Sequence, residues 1–165
     1  MDSQLLRELY NMYQKELYLY IYSLAGSREV AEDLLQETFL KAILSLSDTH
    51  TNMRAWLYTV ARNLYYNFAK KEKRKTSIDE LKDTPSSEKS MIDKVIEGES
   101  RRLCFEALQS LQGIKKEVLI MQYFGGLSQK EIAAILHLTP ENVRVLSYRG
   151  KKELKKYLEV HGYDI

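Results

Sequence analysis

A chain of 165 residues, 44% hydrophobic and 29% charged, has room for one domain or two small ones, and its balance excludes wholesale disorder and collagen-like repeats. Seven glycines and two prolines leave little punctuation for an all-β fold, and the single cysteine, Cys104, excludes an internal disulfide. The net charge of +2 divides into −4 over residues 1–50, +6 over 51–75, −4 over 76–100 and +4 over 101–165, a pattern that suits two places for a polyanion and a connector repelled by it.

The first segment reads as helix. Leu6, Leu9, Tyr13, Leu17, Ile21 and Leu24 recur at steps of three and four, which places them on one stripe. Gly26 stops it and Ser27 is placed to cap the next helix, which runs to about residue 46 with Val30, Leu34, Phe39, Ala42 and Ile43 available for burial. After a polar loop over 47–52, a third helix spans 53–71 with Leu57, Val60, Leu64 and Phe68 as its apolar stripe. Residues 75–90 are polar and contain Pro85, the composition of an interdomain linker. Helical pattern resumes near residue 91 and continues through Leu103, Ala107, Leu108 and Leu111. A shorter helix over 115–124 is broken by Gly125 and Gly126. No internal repeat and no strand pattern emerge.

Two closely spaced helix starts carry the strongest local signal. Ser128-Gln129-Lys130-Glu131 has the form of a capping box, with Leu127 and Ile132 at the spacing of a hydrophobic staple. Thr139 can cap a second helix, Pro140 fits its first position, and Leu138 with Val143 repeats the staple. The first helix then ends near Leu136, and His137-Leu138-Thr139 forms a three-residue turn, the length found in a helix-turn-helix. His137 reads as a helix-ending residue in a left-handed conformation rather than a ligand. The second helix of such a motif enters the major groove, and here it bears Asn142, Arg144, Ser147, Tyr148, Arg149, Lys151 and Lys152. Arg144 can reach a guanine edge; Lys151, Lys152 and Lys155 suit phosphates.

The third predicted helix has a second face. Opposite its apolar stripe lie Tyr58, Arg62, Asn63, Tyr66, Asn67 and Lys70, with Arg54 one turn before. Rings stack on unpaired bases, amides bond base edges and cations hold phosphates. Such a surface needs separated strands or flipped bases. Tyr58 and Tyr66 read as exposed, whereas Trp56 suits the core and a DNA contact equally.

Together these features resemble the extracytoplasmic-function class of bacterial RNA polymerase sigma factors, over nearly the whole chain and in the family's order. Residues 31–42, Ala-Glu-Asp-Leu-Leu-Gln-Glu-Thr-Phe-Leu-Lys-Ala, are similar to the region-two helix that docks on the polymerase β′ clamp. The resemblance implies polymerase contacts from Asp33, Leu34, Gln36, Glu37 and Phe39. Arg54-Ala55-Trp56-Leu57-Tyr58 and Ala61-Arg62-Asn63 resemble the segment that melts and reads the minus-ten promoter element. The implied contacts there are Arg54, Trp56, Tyr58, Arg62, Asn63, Tyr66, Asn67 and Lys70, with Asn63, Asn67 and the loop 47–52 holding an extruded base. Residues 127–149 resemble the region-four helix-turn-helix that reads the minus-thirty-five element. The contacts implied for it are Ser128, Gln129, Lys130, Asn142, Arg144, Ser147, Tyr148, Arg149 and Lys151.

The recognition helix departs from the family pattern. Val145 and Leu146 replace a polar-basic pair, and Ser147 stands where an apolar residue is usual, so Leu146 is expected to take the buried face. Gly150 replaces a common alanine and is expected to weaken the helix by about 1 kcal/mol or less.

The expected architecture is all-α: region two over 1–75, a linker over 76–90 and region four over 91–165. The expected function is that of a sigma factor. It binds core polymerase through the β′ clamp and β flap, recognises two promoter elements and aids strand opening. Members of the class are commonly held by an anti-sigma protein, often membrane-anchored. The competing reading is a helix-turn-helix regulator that binds duplex operator DNA without polymerase. No nucleophile-base set or phosphate loop occurs, and His50, His137 and His161 lack paired ligand spacing, so neither an enzyme, a cofactor nor a metal is expected. Cys104 reads as a small buried hydrophobe. The opening MDSQLLRELY lacks the pattern of a secretory signal and no apolar run approaches the ~18 residues of a membrane span, so the expected location is cytoplasmic.

Overall fold

The computed structural model describes residues 3–45, 52–75, 96 and 98–162. The predicted linker 76–90 and all of the 47–52 loop except Asn52 lie outside them. The regular elements described are all helices: α1 Ser3–Ala25, α2 Arg28–Ser45, α3 Met53–Arg74, α4 Glu99–Leu108, α5 Ile114–Tyr123, α6 Gln129–Leu136 and α7 Pro140–Val160. They divide between two compact units, Met1–Met91 and Ile92–Ile165.

In the first unit α1, α2 and α3 each pack on the other two. Gly26, at φ 70°, ends α1, and its amide donates to the Tyr22 carbonyl at 2.8 Å. Ser27 then caps α2, its Oγ accepting from the Val30 amide at 3.3 Å. The sequence predicts a single apolar stripe along α1, but Leu17, Tyr18, Leu19, Tyr20 and Ile21 are all buried in succession. Two helices flanking a third cover more than one side of it, so periodicity fades where enclosure is complete. Tyrosines suit this centre because their rings pack on one another: Tyr20 lies 5.2 Å from Tyr58 and Tyr10 lies 5.0 Å from Phe39, both tilted.

In the second unit α7 packs against α4, α5 and α6. The core joins Phe105 and Leu108 of α4, the run Val118–Met121 of α5, and Ile132, Ile135 and Leu136 of α6, with Val143 of α7 against them. Residues 91–95 and 97 of the helix predicted to resume near 91 lie outside the described residues; the described helix α4 begins at Glu99, after Gly98, whose positive φ of 90° cannot belong to a right-handed helix. Gly150 of α7 is buried where α5 approaches: a Cβ there would lie 2.9 Å from Cδ1 of Leu119. Beside it Ser147 Oγ donates to Gln122 Oε1 at 2.8 Å, and Lys115 pairs with Glu153. This seam fixes α7 on α5.

Candidate nucleic-acid interfaces

In the second unit the turn preceding α7 has the expected construction. Ser128 Oγ accepts from the Glu131 amide at 3.1 Å while the Glu131 carboxylate accepts from the Ser128 amide at 2.8 Å, completing the capping box. His137 adopts φ 58°, ψ 45°, a left-handed C-cap, and Thr139 Oγ1 accepts from the Asn142 amide at 3.1 Å. Leu127, Ile132 and Val143 are buried and Leu138 is partly buried, which puts both staple pairs toward the inner sides of the helices.

The outer side of α7 then presents Asn142, Arg144, Tyr148, Arg149, Lys151, Lys152 and Lys155, all exposed. Lys152 Nζ lies 4.9 Å from the centre of the Tyr148 ring, and Lys151 Nζ lies 5.4 Å from that of Tyr123. Gln129 and Lys130 are exposed at the start of α6, where a helix-turn-helix crosses the phosphate backbone. Ser128 is exposed too, but its hydroxyl is engaged in the cap.

One expected contact here is corrected. Ser147 is buried and bonded to Gln122, so it faces α5 rather than DNA. Leu146 is left partly exposed, the reverse of the expected exchange. A serine fits the buried position because Gln122 supplies the partner its hydroxyl needs.

In the first unit one side of α3 carries Asn63, Tyr66, Asn67 and Lys70, all exposed, with the partly exposed Arg62. The Arg62 guanidinium carbon sits 4.6 Å above the Tyr66 ring, and the Tyr65 ring meets Tyr66 edge-on at 5.0 Å. Trp56 is partly exposed and shares its side of the helix with Asn63 and Asn67, seven and eleven residues on. Lys71, Lys73 and Arg74 extend the cationic end, where they also offset the negative pole of the helix. Asn52 caps the other end, its Oδ1 accepting from the Ala55 amide at 3.1 Å.

Of the other expected contacts on α3, Tyr58 is drawn inward, and Arg54, its side chain 42% exposed, is engaged with α1. Tyr58 is fully buried against Tyr20, because its register places it with Leu57 and Ala61 toward the bundle. Burial and the facing Glu16 carboxylate push its hydroxyl well above the usual phenol range. Arg54 pairs with Glu16 Oε1 at 3.0 Å and lies 5.3 Å above the Tyr13 ring, which ties it to α1. Burial raises the Glu16 carboxyl from its ordinary value even though Arg54 works against the shift.

On α2, Asp33, Gln36 and Glu37 are exposed. Leu34 and Phe39, expected at a partner surface, are buried instead: they are the side on which α2 is held, Phe39 against Tyr10. Missed by sequence reasoning are Leu40 and Leu44, 58% and 78% exposed. They follow Asp33 and Glu37 at helical spacing, and that offset from the Leu34–Phe39 stripe was the signal. Cys104 is only partly buried, and burial pushes its thiol up despite Arg101. Among the described residues no group of His, Cys, Asp and Glu could hold a metal ion, and no helix is long and apolar enough to cross a membrane.

Known proteins share this organisation. The Sigma-70 region 2 family model matches residues 9–75 and the Sigma-70, region 4 model residues 105–154. The chain is 27% identical to the ECF RNA polymerase sigma factor SigM of Bacillus subtilis, covering 90% of this chain and 91% of that protein. It is 32% identical to the RNA polymerase sigma factor YlaC of the same organism, over 92% and 90% respectively. In fold it is similar to the sigma factor RpoE of Bartonella quintana, solved with the anti-sigma factor NepR, at a TM-score of 0.71 and 23% identity over 93% of this chain and 96% of that one. With both helical units matched in the order of the family and relatives aligned along nearly its full length, this chain belongs to the extracytoplasmic-function family of RNA polymerase sigma factors.

Proposed function

We propose that residues 1–75 act as the unit that binds polymerase and opens the minus-ten element, that 76–90 act as the connector, and that 91–165 act as the unit that grips the minus-thirty-five element. The observation that carries this reading is the open side of α3. Arg62 stacked on Tyr66 between the exposed Asn63 and Asn67 is a platform for unpaired bases, with Lys70 beyond it for phosphate. Duplex DNA hides the faces such a platform needs, so it acts after or during strand separation.

The cations of α7 hold the upstream duplex, chiefly through phosphates, and Arg144 and Asn142 are placed for base edges. Asp33, Gln36 and Glu37, extended by Leu40 and Leu44, form the polymerase-facing side of α2, suited to a partner with basic and apolar side chains. An anti-sigma protein, such as the one that holds the Bartonella quintana neighbour, competes for these surfaces. The chain performs no bond chemistry; nucleotidyl transfer belongs to the polymerase, and the protein works in the cytoplasm.

The test is reconstituted initiation with core polymerase and permanganate mapping of unpaired thymines. The triple variant Arg62→Ala, Asn63→Ala, Asn67→Ala is expected to bind polymerase and protect the upstream element while losing bubble formation. Unchanged bubble formation by the folded variant refutes the assignment. Charge reversal at Asp33 and Glu37 is expected to abolish polymerase association with folding intact, since both side chains are exposed. A regulator working without polymerase would instead be unaffected in a gel shift.

A further inference from the structure

The side of α7 opposite its buried residues carries a feature that charge does not explain. Val143, Ser147 and Gly150 face inward; the opposite side of the helix holds Glu141, Val145, Tyr148 and Lys152. Val145 is 41% exposed and Tyr148 59%. A valine there adds little to the core, which Val143 already fills at full burial two residues earlier. As a β-branched residue it also favours the helix less than alanine does. Neither folding nor solubility accounts for it.

Its position does suggest a use. Val145 is the sixth residue of a helix that begins at Pro140, in the N-terminal part from which a recognition helix contacts base edges. Arg144 adjoins it, Arg149 lies one turn on and Lys151 and Lys152 nearly two, all exposed, cations suited to phosphates along a groove. Within the major groove the thymine C5-methyl is the apolar group that a base edge offers. We propose that Val145 reads a thymine methyl in the upstream promoter element, with Tyr148, one turn on and braced by Lys152, extending the same apolar strip along the groove. This rests on the reading of α7 as the recognition helix.

The test uses the full chain with core polymerase and a promoter fragment on which it protects the upstream element. Each thymine of that element, on both strands in turn, is replaced by deoxyuridine, which removes the methyl and keeps every hydrogen-bonding group. At one position the wild-type chain is expected to bind about fourfold more weakly, the scale of one buried methyl. Val145→Ala is expected to bind the thymine and deoxyuridine fragments equally, at the wild-type affinity for deoxyuridine. Because alanine favours the helix more than valine does, the variant is expected to melt no lower than the wild type, so lost binding cannot come from lost folding.

Absence of any deoxyuridine effect on the wild type overturns the proposal, as does a full deoxyuridine penalty in Val145→Ala or an upstream element without thymine. An apolar protein partner at this strip would produce the first of these results. Failure of the wild-type chain to protect any upstream duplex overturns the reading of α7 as well; protection without a methyl effect overturns only the role of Val145.

Discussion

Replacing Gly150 by alanine is expected to destabilise the second unit, although it repairs a weak point in a helix. In isolation a mid-helix glycine costs about 0.5–1 kcal/mol relative to alanine, so local propensity alone predicts a gain. The tertiary environment opposes it. A Cβ at Gly150 would stand 2.9 Å from Leu119 Cδ1, 3.3 Å from Leu119 Cγ and 3.7 Å from Lys115 Cβ. Leu119 is fully buried, so making room means turning its side chain within a packed core or parting α5 from α7 slightly. Overpacking of this kind costs about 1–3 kcal/mol, which exceeds the helical gain and leaves a net loss of about 1 kcal/mol. For a unit of this size that is a fall in Tm of about 4–8 °C.

The two units provide their own control. The single tryptophan, Trp56, belongs to the first unit, so its fluorescence transition in urea is expected to stay in place. Amide exchange in α5 and α7, followed by mass spectrometry, is expected to quicken. Leu119→Ala opens space at the contact while costing about 2–5 kcal/mol itself; in that background Gly150→Ala is expected to become stabilising, a coupling of about 1 kcal/mol or more. Slower exchange in Gly150→Ala with Leu119 intact would refute the reasoning, because the glycine would then be a helix defect and not a packing device.

Three other perturbations probe the remaining supports. Ser147→Ala removes the hydroxyl that donates to Gln122 and is expected to cost about 1 kcal/mol, read from amide exchange in the second unit, with polymerase affinity unchanged. Thr139→Ala removes the cap on Asn142 and is expected to cost about 1 kcal/mol, with fraying confined to the first turn of α7 by nuclear magnetic resonance. Glu16 has its carboxyl raised above the ordinary 4.5 by burial, so the folded state holds that proton more tightly than the unfolded chain. Its contribution to stability is therefore greatest below 4.5 and is lost as pH rises through the folded value. Glu16→Gln is expected to flatten the fall in first-unit stability over that window, measured by Trp56 fluorescence in urea at a series of pH values.

Local chemistry made much of this protein legible in its sequence. The helix-turn-helix declared itself through two caps, two staples and a proline at a first helical position, all of which act within a few residues of one another. His137 could be assigned to a left-handed cap for the same reason. The open side of α3 was legible through spacing, since Arg62, Asn63, Tyr66, Asn67 and Lys70 share a side in any α-helix. The failures lie where orientation depends on a distant partner. Tyr58 and Tyr66 are the same residue type on one helix, yet one is sealed against Tyr20 and the other stands open. Leu34 and Phe39 matched a docking motif as letters, but they form its inner support, while Leu40 and Leu44 remain outside.

The amino-acid order by itself determined the helical class, the places where helices start and stop, and the sides on which charge gathers, because hydrogen bonding, capping and periodicity act over a few residues. Tertiary structure alone decided which near-equivalent side chains are available to a partner. Ser147 faces Gln122, Gly150 admits Leu119, and Arg54 is drawn to Glu16. Each outcome needs a residue from another helix. Burial is a property of packed helices, so nothing within a single turn can specify it.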